Sequence, residues 1–463
     1  MELYSSNENY KLYQGNMLDM LDVIEPNSID SIITDPPYEL NFMGKGWDNS
    51  GIAFQPDTWK KCYEVLKPGG YLLAFGGSRT FHRIACAIED AGFEIRDTIM
   101  WIYGSGFPKS MNIGLAIDKK NGVESIDTGI QSPNARPNCD KTNTLYESGT
   151  VGKNFTIKEA QNEWKGWGTA LKPSFEPIIV ARKPFKGSLV DNVIKNGVGG
   201  INIDECRVEA ETNRRMCGST EKSGETSFIL GAREETYTNQ GRFPANTILT
   251  YDENDFDEVC GGFPTSNKPN GSITKKYKMN NQVYGDYGYC NTWEAYQDSG
   301  SASRYFYCAK ASKRDRDEGL DEFDDKYMAF SNQAKAELKR GNVDFKGNED
   351  NPMNFVNSVS VRKNTHPTVK PTELMQYLVR LVSPNDATIL DPFNGSGSTG
   401  KAVMYENRER NKNYKYIGIE LTEEYLPIAK ARIEYVMNQK LNKEKIKKET
   451  EKGQTTIFDF IGE

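Results

Sequence analysis

Histidine is nearly absent from this chain, which has only His82 and His366 among its 463 residues. The eight cysteines show no Cys-x-x-Cys spacing, whereas structural zinc sites need cysteine and histidine ligands at such close intervals. The sequence therefore predicts no metal site, and we expect reduced thiols in a cytoplasmic protein. Cys62 and Cys86 fall in apolar patterns of helical period and are expected in the core.

Long hydrophobic runs and an excess of positive charge are also missing. No stretch is apolar enough to predict a membrane span, and no secretory signal pattern opens the sequence. The 58 Lys and Arg residues are outnumbered by 65 Asp and Glu residues, so the net charge is −7. This charge argues against a surface that is basic throughout. It leaves nucleic-acid binding open, because binding depends on local patches.

A glycine-rich run, Asp-Pro-Phe-Asn-Gly-Ser-Gly-Ser-Thr-Gly, occupies residues 391–400. It follows the short apolar stretch 387–390, which predicts a buried strand, and it precedes a helix predicted to start near Lys401. Glycines let the backbone approach a ligand closely, and free N–H groups at a helix start bind anions. Glu420 ends the next predicted strand, where ribose hydroxyls are usually held. The pattern predicts a cofactor site, although an ordinary strand-to-helix turn has the same glycine spacing.

A second run, Asp35-Pro36-Pro37-Tyr38, ends a predicted strand near the beginning of the chain. The two prolines remove backbone donors and keep the chain extended, so carbonyl groups are left without a helix to use them. An Asp carboxylate beside a Pro carbonyl can accept both hydrogens of an exocyclic amine. Tyr38 offers a ring on which a flipped base can stack. The alternative is a plain Pro-Pro turn between a strand and a loop.

In their chain order, with residues 35–38 before residues 391–400, the two runs resemble the motifs of amino-group DNA methyltransferases that use S-adenosylmethionine. The resemblance is to the β class of that family, in which the Asp-Pro-Pro-Tyr motif precedes the cofactor loop. Segments 15–19, 66–77, 175–184 and 366–371 are similar to further segments of the family.

The resemblance implies roles for individual residues. The catalytic motif corresponds to Asp35, Pro36, Pro37 and Tyr38. The residues expected to bind S-adenosylmethionine are Asn16, Asp19, Asp35, Lys370, Asp391, Phe393, Asn394, Gly395, Ser396, Gly397 and Glu420. An acid is commoner in the family where Asn16 stands.

The implied reaction is the methylation of a base amine in double-stranded DNA after base flipping. Hydrogen bonds from the amine to Asp35 and to the Pro36 carbonyl would favour a pyramidal, more nucleophilic nitrogen. No Pro-Cys pair occurs, so the thiolate chemistry of carbon-5 cytosine methylation is not expected. The leading Asp favours the N6 amine of adenine, with the N4 amine of cytosine as the alternative. An RNA methyltransferase and a non-catalytic DNA-binding module are the other readings, and the module would need neither Asp35 nor a complete cofactor loop.

The predicted fold is α/β, a Rossmann-like methyltransferase sheet in permuted order with an inserted target-recognition region. The expected domains are a catalytic half, an insertion interleaved with some catalytic-domain strands, a cofactor-binding half and a charged tail, at residues 1–115, 116–360, 361–440 and 441–463.

Partner contacts can also be predicted from the sequence. The candidate DNA-contacting residues are Lys45, Trp47, Arg79 and Lys109. The tail ends in a segment that resembles the short Gln-led peptides that bind bacterial sliding clamps, with Gln454, Ile457 and Phe458 as the candidate contacts. A homodimer and a role in restriction-modification are further expectations from the family.

Overall fold

The computed structural model divides the chain into two compact units. The first comprises residues 1–104, 175–323 and 366–463, and the second comprises residues 105–174 and 324–365. The residues that the structure describes are 2–40, 46–103, 110–131, 156–208, 241–251, 306–310, 313–329 and 359–439, with short strands at 214–215, 237–238, 265–266, 280–281, 285–286 and 300–301.

A ten-stranded sheet forms the centre of the first unit. Its strands in chain order are β1 (Glu2–Ser6), β2 (Tyr10–Gln14), β3 (Ile29–Thr34), β4 (Leu66–Phe75), β5 (Glu94–Tyr103), β6 (Phe175–Arg182), β7 (Thr247–Tyr251), β8 (Tyr307–Lys310), β9 (Thr388–Asp391) and β10 (Lys415–Glu420).

The strand order across the sheet is β1-β2-β10-β9-β3-β4-β6-β5-β7-β8. Strand β1 is antiparallel to β2, and β6 is antiparallel to both of its neighbours, whereas the other neighbours are parallel. Strands β9 and β10 come late in the chain, yet they lie between β2 and β3 from its beginning. This arrangement confirms the predicted Rossmann-like α/β sheet in permuted order.

The described part of the chain also forms nine helices, of which α4 belongs to the second unit and the others to the first. Their bounds are α1 (Met17–Leu21), α2 (Pro56–Val65), α3 (Phe81–Asp90), α4 (Ile113–Lys120), α5 (Leu189–Asn196), α6 (Lys313–Asp317), α7 (Thr372–Val382), α8 (Ser398–Arg410) and α9 (Leu426–Asn438). Short 3₁₀ turns occupy Gly46–Asn49, Ile52–Phe54, Asp204–Cys206 and Glu423–Tyr425. Helix α8 starts at Ser398 rather than near Lys401, because Gly397 adopts a left-handed conformation, with a φ of 75°, directly before it.

The core has two layers, one on each face of the sheet. In β4, Leu73 and Phe75 point to the layer that contains α7, α8 and α9. Leu72 and Ala74 point to the opposite layer, with α1, α2 and α3. Because both faces of the central strands are covered, these strands are almost continuously apolar. Each large side chain buried in this way contributes about 1.5–3 kcal/mol.

The prediction for Cys86 was wrong. Cys62 is buried in α2, but Cys86 is exposed on α3. The buried face of α3 carries Ile84, Ala87 and Ile88, and a residue two positions after Ile84 points away from that face of a helix.

In the described part of the chain, no helix combines the length and the apolar character that crossing a bilayer requires.

The second unit contains α4 and two antiparallel strand pairs. These pairs join Ile126–Gln131 to Thr156–Glu159 and Lys326–Ala329 to Val359–Arg362. The buried carboxylate of Asp118 accepts hydrogen bonds from Gln161 N at 2.7 Å and Asn162 Nδ2 at 2.6 Å. This carboxylate therefore connects α4 to the segment that follows the strand Thr156–Glu159.

A buried ion pair connects α7 to α8 in the first unit. Arg380 Nη2 lies 2.5 Å from Glu406 Oε1, and the two side chains are 3% and 0% exposed. Gln376 Nε2 also donates to Glu406, at 3.3 Å. Because water does not reach this pair, removing one partner leaves an uncompensated charge in the core.

We expect Glu406→Ala to lower the free energy of unfolding by about 3–5 kcal/mol, because Arg380 loses its counter-ion. The double substitution Arg380→Met with Glu406→Leu should recover most of this loss. Urea denaturation followed by circular dichroism measures both values. The matched control is Asp204→Ala, which removes an exposed partner of Arg207 and should change stability little. A Glu406→Ala variant as stable as the control would contradict the assignment.

Candidate active site

The site is built where the strand order of the sheet changes direction. Strands β9 and β3 are parallel neighbours, with Ile389 opposite Ser31 and Leu390 opposite Ile32. The chain continues from β9 outward to β10 and from β3 outward to β4, so the connecting segments diverge at this point. Ligands of open α/β sheets bind beside the carboxyl ends of strands at such a switch point. Asp391 ends β9 and Asp35 directly follows β3, so both predicted motifs meet there.

The carboxylate of Asp391 ties the two strands to α8. Thr34 Oγ1 donates to Oδ1 at 2.7 Å, Thr399 Oγ1 donates to Oδ2 at 2.6 Å, and Phe393 N donates to Oδ1 at 3.1 Å. Burial raises the pKa of Asp391 to about 6, although these three hydrogen bonds lower it. Both carboxylate oxygens thus have partners within the protein.

The glycine-rich turn needs glycine at two positions. Gly395 and Gly397 have φ values of 52° and 75°, a region that side chains with a Cβ atom rarely adopt. A Cβ atom on Gly395 would lie 2.9 Å from His366 Nε2, and one on Gly397 would lie 3.0 Å from Ala429. The turn therefore brings backbone to the start of α8, where the first N–H groups have no partner within the helix.

Asn394 joins this turn to the neighbouring strand β10. Its backbone N–H donates to Ile419 O at 2.9 Å. Its side-chain oxygen accepts from Tyr416 Oη at 2.7 Å. Phe393 packs in the layer of α1 to α3, with its ring centroid 6.4 Å from that of Trp59. The expected cofactor residues of the turn are thus held in place by the sheet and by one core layer.

A buried arginine supports the same turn from α9. Arg432 Nη1 donates to Ser396 O at 2.7 Å, to Ser396 Oγ at 3.0 Å and to Ser398 Oγ at 3.2 Å. Its pKa is lowered by burial, with Asp315 the main opposing charge. Asp315 also lies 2.6 Å from the fully buried Lys401 of α8. The short helix α6 is thereby attached to the cofactor half of the sheet.

Glu420 lies at the carboxyl end of β10 with its side chain nearly buried. Its Oε2 accepts from Gly395 N at 2.7 Å, and its Oε1 accepts from Thr422 N at 2.7 Å. Burial raises its pKa, against the effect of these bonds. Both oxygens have protein donors, and a carboxylate has about four acceptor positions to share with a ligand hydroxyl.

Asn16 and Asp19 follow the strand β2, the neighbour of β10. Gly15 N donates to Glu420 O at 3.0 Å, which places the end of β2 against the end of β10. Asn16 caps α1 by accepting from Leu18 N at 3.0 Å, and Asp19 is exposed in the first turn of the same helix. The structure thus brings the expected adenine-side residues to the same edge as Glu420.

Asp35 has one oxygen engaged and one without a partner. Lys370 Nζ donates to Oδ2 at 2.6 Å. Oδ1 is buried and has no hydrogen-bond partner. Burial raises the pKa of Asp35, the Lys370 ammonium opposes this shift, and the nearby Glu176 adds to it. A buried acceptor without a donor at this edge of the sheet fits an incoming N–H group.

Tyr38 is held at its hydroxyl and at its backbone. Its hydroxyl donates to Glu176 Oε2 at 2.7 Å, and its carbonyl accepts from Thr80 Oγ1 at 2.8 Å. Pro36 is buried and Pro37 is half-buried, so the motif is packed into the protein up to the tyrosine. The ring of Tyr38 therefore has a defined orientation beside Asp35.

Lys370 contacts the catalytic motif rather than the glycine-rich turn. Its ammonium bridges Asp35 and Glu176, with Glu176 Oε2 at 3.4 Å. Its expected role in cofactor binding stays a prediction. Sequence analysis did not single out Glu176, although one acid opening the apolar strand β6 was a usable signal. It equally missed Arg432, a charged residue that is fully buried in α9.

Most of the predicted partner contacts fall outside the part of the chain that the structure describes. Lys45, Lys109, Gln454, Ile457 and Phe458 lie outside the described residues, and only the backbone of Trp47 is described. Arg79 is exposed just after β4. Among the described residues, no group of three or more His, Cys, Asp or Glu side chains is arranged to hold a metal ion.

The chain is similar in sequence to type II methyltransferases. M.HindIII, a type II methyltransferase of Haemophilus influenzae, is 27% identical over 233 residues, which are 41% of this chain and 64% of that protein. M2.LlaDCHI, a type II methyltransferase of Lactococcus lactis, is 24% identical over 232 residues, 43% of this chain and 81% of that protein. The chain thus spans slightly under two thirds of M.HindIII. The crystal structure of the M1.HpyAVI–SAM complex aligns with a TM-score of 0.33 and 14% identity, over 91% of this chain and 99% of that one.

The family model described as DNA methylase matches residues 29–431 and includes both halves of the site. Because this match covers most of the chain, the protein belongs to the N6/N4 DNA methylase family, whose methyl donor is S-adenosylmethionine.

Proposed function

We propose that the protein transfers a methyl group from S-adenosylmethionine to the N6 amine of adenine in double-stranded DNA. The observation that carries this proposal is the buried, unpartnered Oδ1 of Asp35 at the switch point of the sheet. This oxygen lies in the same motif as an oriented tyrosine ring, beside a strand that ends in a glycine-rich turn.

The residues beside β9, β10 and β2 fit the cofactor. The open turn at Gly395 to Gly397 and the start of α8 would hold its carboxylate, and Glu420 would hold its ribose hydroxyls. Asn16 and Asp19 would lie on its adenine side. When bound, S-adenosylmethionine supplies an electrophilic methyl group on a positively charged sulfur.

The catalytic motif would prepare the target amine. Asp35 Oδ1 accepts one amine hydrogen and the Pro36 carbonyl accepts the other, so the nitrogen lone pair turns out of the ring plane. Tyr38 stacks on the flipped base, a contact worth about 1–3 kcal/mol. The nitrogen lone pair would then be placed to take the methyl group that the bound cofactor supplies, which would leave that cofactor as a neutral thioether. The nitrogen then releases one proton, for which Oδ1 is the adjacent acceptor.

Adenine is favoured because the motif begins with Asp35, whereas Ser is commoner at this position in the cytosine-N4 enzymes of the family, and cytosine N4 is the alternative. Arg79 is proposed as a phosphate contact because it is exposed two residues after Gly77, whose Cα lies against the Tyr38 ring. Type II relatives support a role in site-specific DNA modification.

We expect Asp35→Ala to lower the rate of methyl transfer about 10²–10³-fold, because a preorganised polar group is lost. Affinity for S-adenosylmethionine should change little, since the turn and Glu420 are intact. Radiolabel transfer to DNA and calorimetric titration with the cofactor measure the two quantities. Asp90→Asn, an exposed carboxylate at the end of α3, is the matched control. Unchanged turnover in Asp35→Ala would sink the mechanism.

DNA from a methylation-free host that expresses the protein should contain N6-methyladenine at one short sequence. Mass spectrometry of the digested nucleosides identifies the base, and long-read sequencing locates it. Expression of Asp35→Ala provides the unmodified control. N4-methylcytosine would overturn the choice of base and leave the mechanism intact. Unmodified DNA, from soluble protein that binds the cofactor, would contradict the proposed substrate.

A further inference from the structure

A buried lysine lies between two carboxylates beside the catalytic motif. Lys370 Nζ is 2.6 Å from Asp35 Oδ2 and 3.4 Å from Glu176 Oε2, and the lysine side chain is 7% exposed. The rings of Tyr38 and Phe75 flank the ammonium, with centroids at 5.3 and 4.9 Å. A charged group that is packed against aromatic rings and shielded from water interacts more strongly with the rings and with neighbouring charges than a solvated group does.

The three charged groups come from distant parts of the chain. Asp35 follows β3, and Lys370 directly precedes Pro371 at the start of α7. Glu176 is the second residue of β6, which is antiparallel to β4. Because of that direction, the beginning of β6 lies at the edge where β3 and β4 end. The topology thus delivers one acid to a site otherwise built from strand carboxyl ends.

We propose that Lys370 and Glu176 are positioning residues for the transfer: Lys370 holds Oδ2 of Asp35 so that Oδ1 faces the amine, and Glu176 holds both Lys370 and the Tyr38 hydroxyl. This proposal rests on the proposed amine methylation. It explains why one oxygen of Asp35 is engaged while the other is buried without a donor. A freely rotating carboxylate would present either oxygen to the amine and would lose rotational freedom when the amine binds.

The negative charge of Glu176 would also stabilise the transition state of the transfer. During the transfer, positive charge passes from the sulfur to the target nitrogen, so a negative environment near that nitrogen stabilises the transition state. Lys370 alone would neutralise Asp35. With Glu176 included, two carboxylates face one ammonium, and the group keeps a net negative charge when both acids are ionised.

Other titratable groups face this cluster. Tyr38 donates to Glu176, and Tyr103 Oη lies 3.4 Å from Glu176 Oε1. Burial raises the pKa of both tyrosines, which are therefore neutral near pH 7. The Tyr38 hydroxyl also lowers the pKa of Asp35, whereas the charge of Asp35 raises the pKa of Asp391. Asp35 must be ionised to accept the amine, so the rate falls as pH falls through its pKa.

Substitutions of the two positioning residues should therefore shift the acid limb of the pH–rate profile in opposite directions. The acid limb is the range in which the rate falls as the pH falls. Burial raises the pKa of Asp35, Lys370 lowers it and Glu176 raises it. Lys370→Met should move the acid limb to higher pH and slow the reaction about 10²-fold at neutral pH, as expected for a misplaced reacting group. Glu176→Gln keeps a hydrogen-bonding side chain but removes a charge, so it should move the limb to lower pH. Lys370→Arg should restore the wild-type position of the limb in part.

The experiment measures single-turnover methyl transfer to DNA between pH 5 and 9, an interval of about two units either side of neutrality. The charge-matched controls are Lys186→Met and Glu89→Gln, which change exposed residues and should leave the profile unmoved. Opposite shifts with unchanged cofactor affinity support the proposal. Loss of rate without any shift, or shifts in the same direction, would overturn it.

A second readout separates this proposal from the proposed function. Isotope-edited infrared titration of the Asp35 carboxyl, assigned with Asp35→Asn, reports the same two shifts without any methyl transfer. If the wild-type protein does not methylate DNA but the carboxyl shifts are opposite, the proposed function fails and the charge network stands. If DNA is methylated but the carboxyl does not respond to either substitution, the positioning role is wrong.

Discussion

The buried carboxylate of Asp391 is the contact on which the site depends. Strands β3 and β9 are more than 350 residues apart in the chain, and Thr34 and Thr399 both donate to this one side chain. A buried carboxylate is costly unless its oxygens have donors, so its three hydrogen bonds fix strand, turn and helix together. Asp391 is thus a structural centre. The groups left open to ligands are its neighbours: the glycine turn, Glu420 and Asp35.

Support for the cofactor turn extends well behind its glycines. Arg432 reaches Ser396 and Ser398 from α9, and Asp315 connects that arginine to Lys401 of α8. Such buried charges are costly to strip of their partners, which makes the arrangement specific to one packing of the helices. Rigidity of the turn therefore comes from helices that themselves lie outside the site. A turn held in this way loses little conformational freedom when a ligand binds.

Much of this organisation can be predicted from the sequence, because the decisive residues end short apolar strands. Asp35, Asp391 and Glu420 each follow such a strand, and parallel neighbours bring strand ends to one edge. Glu176 could not be found in this way, since it begins a strand and reaches the edge only because β6 runs antiparallel. Periodicity also misjudged Cys86, because an apolar pattern does not tell which side of a short helix is covered.

The proposed roles of the two Asp35 oxygens, with Oδ2 held by Lys370 and Oδ1 facing the amine, do not distinguish adenine from cytosine. Adenine and cytosine both present an exocyclic NH₂ group, and Oδ1 with the Pro36 carbonyl would accept either. Stacking on Tyr38 is equally tolerant, since every base has a π-face. The proposed charge network at Lys370 and Glu176 would act on the amine nitrogen and would not contact the ring. Discrimination between the bases must therefore come from groups that contact the ring edges, so the same catalytic edge can serve both N6 and N4 enzymes of one family.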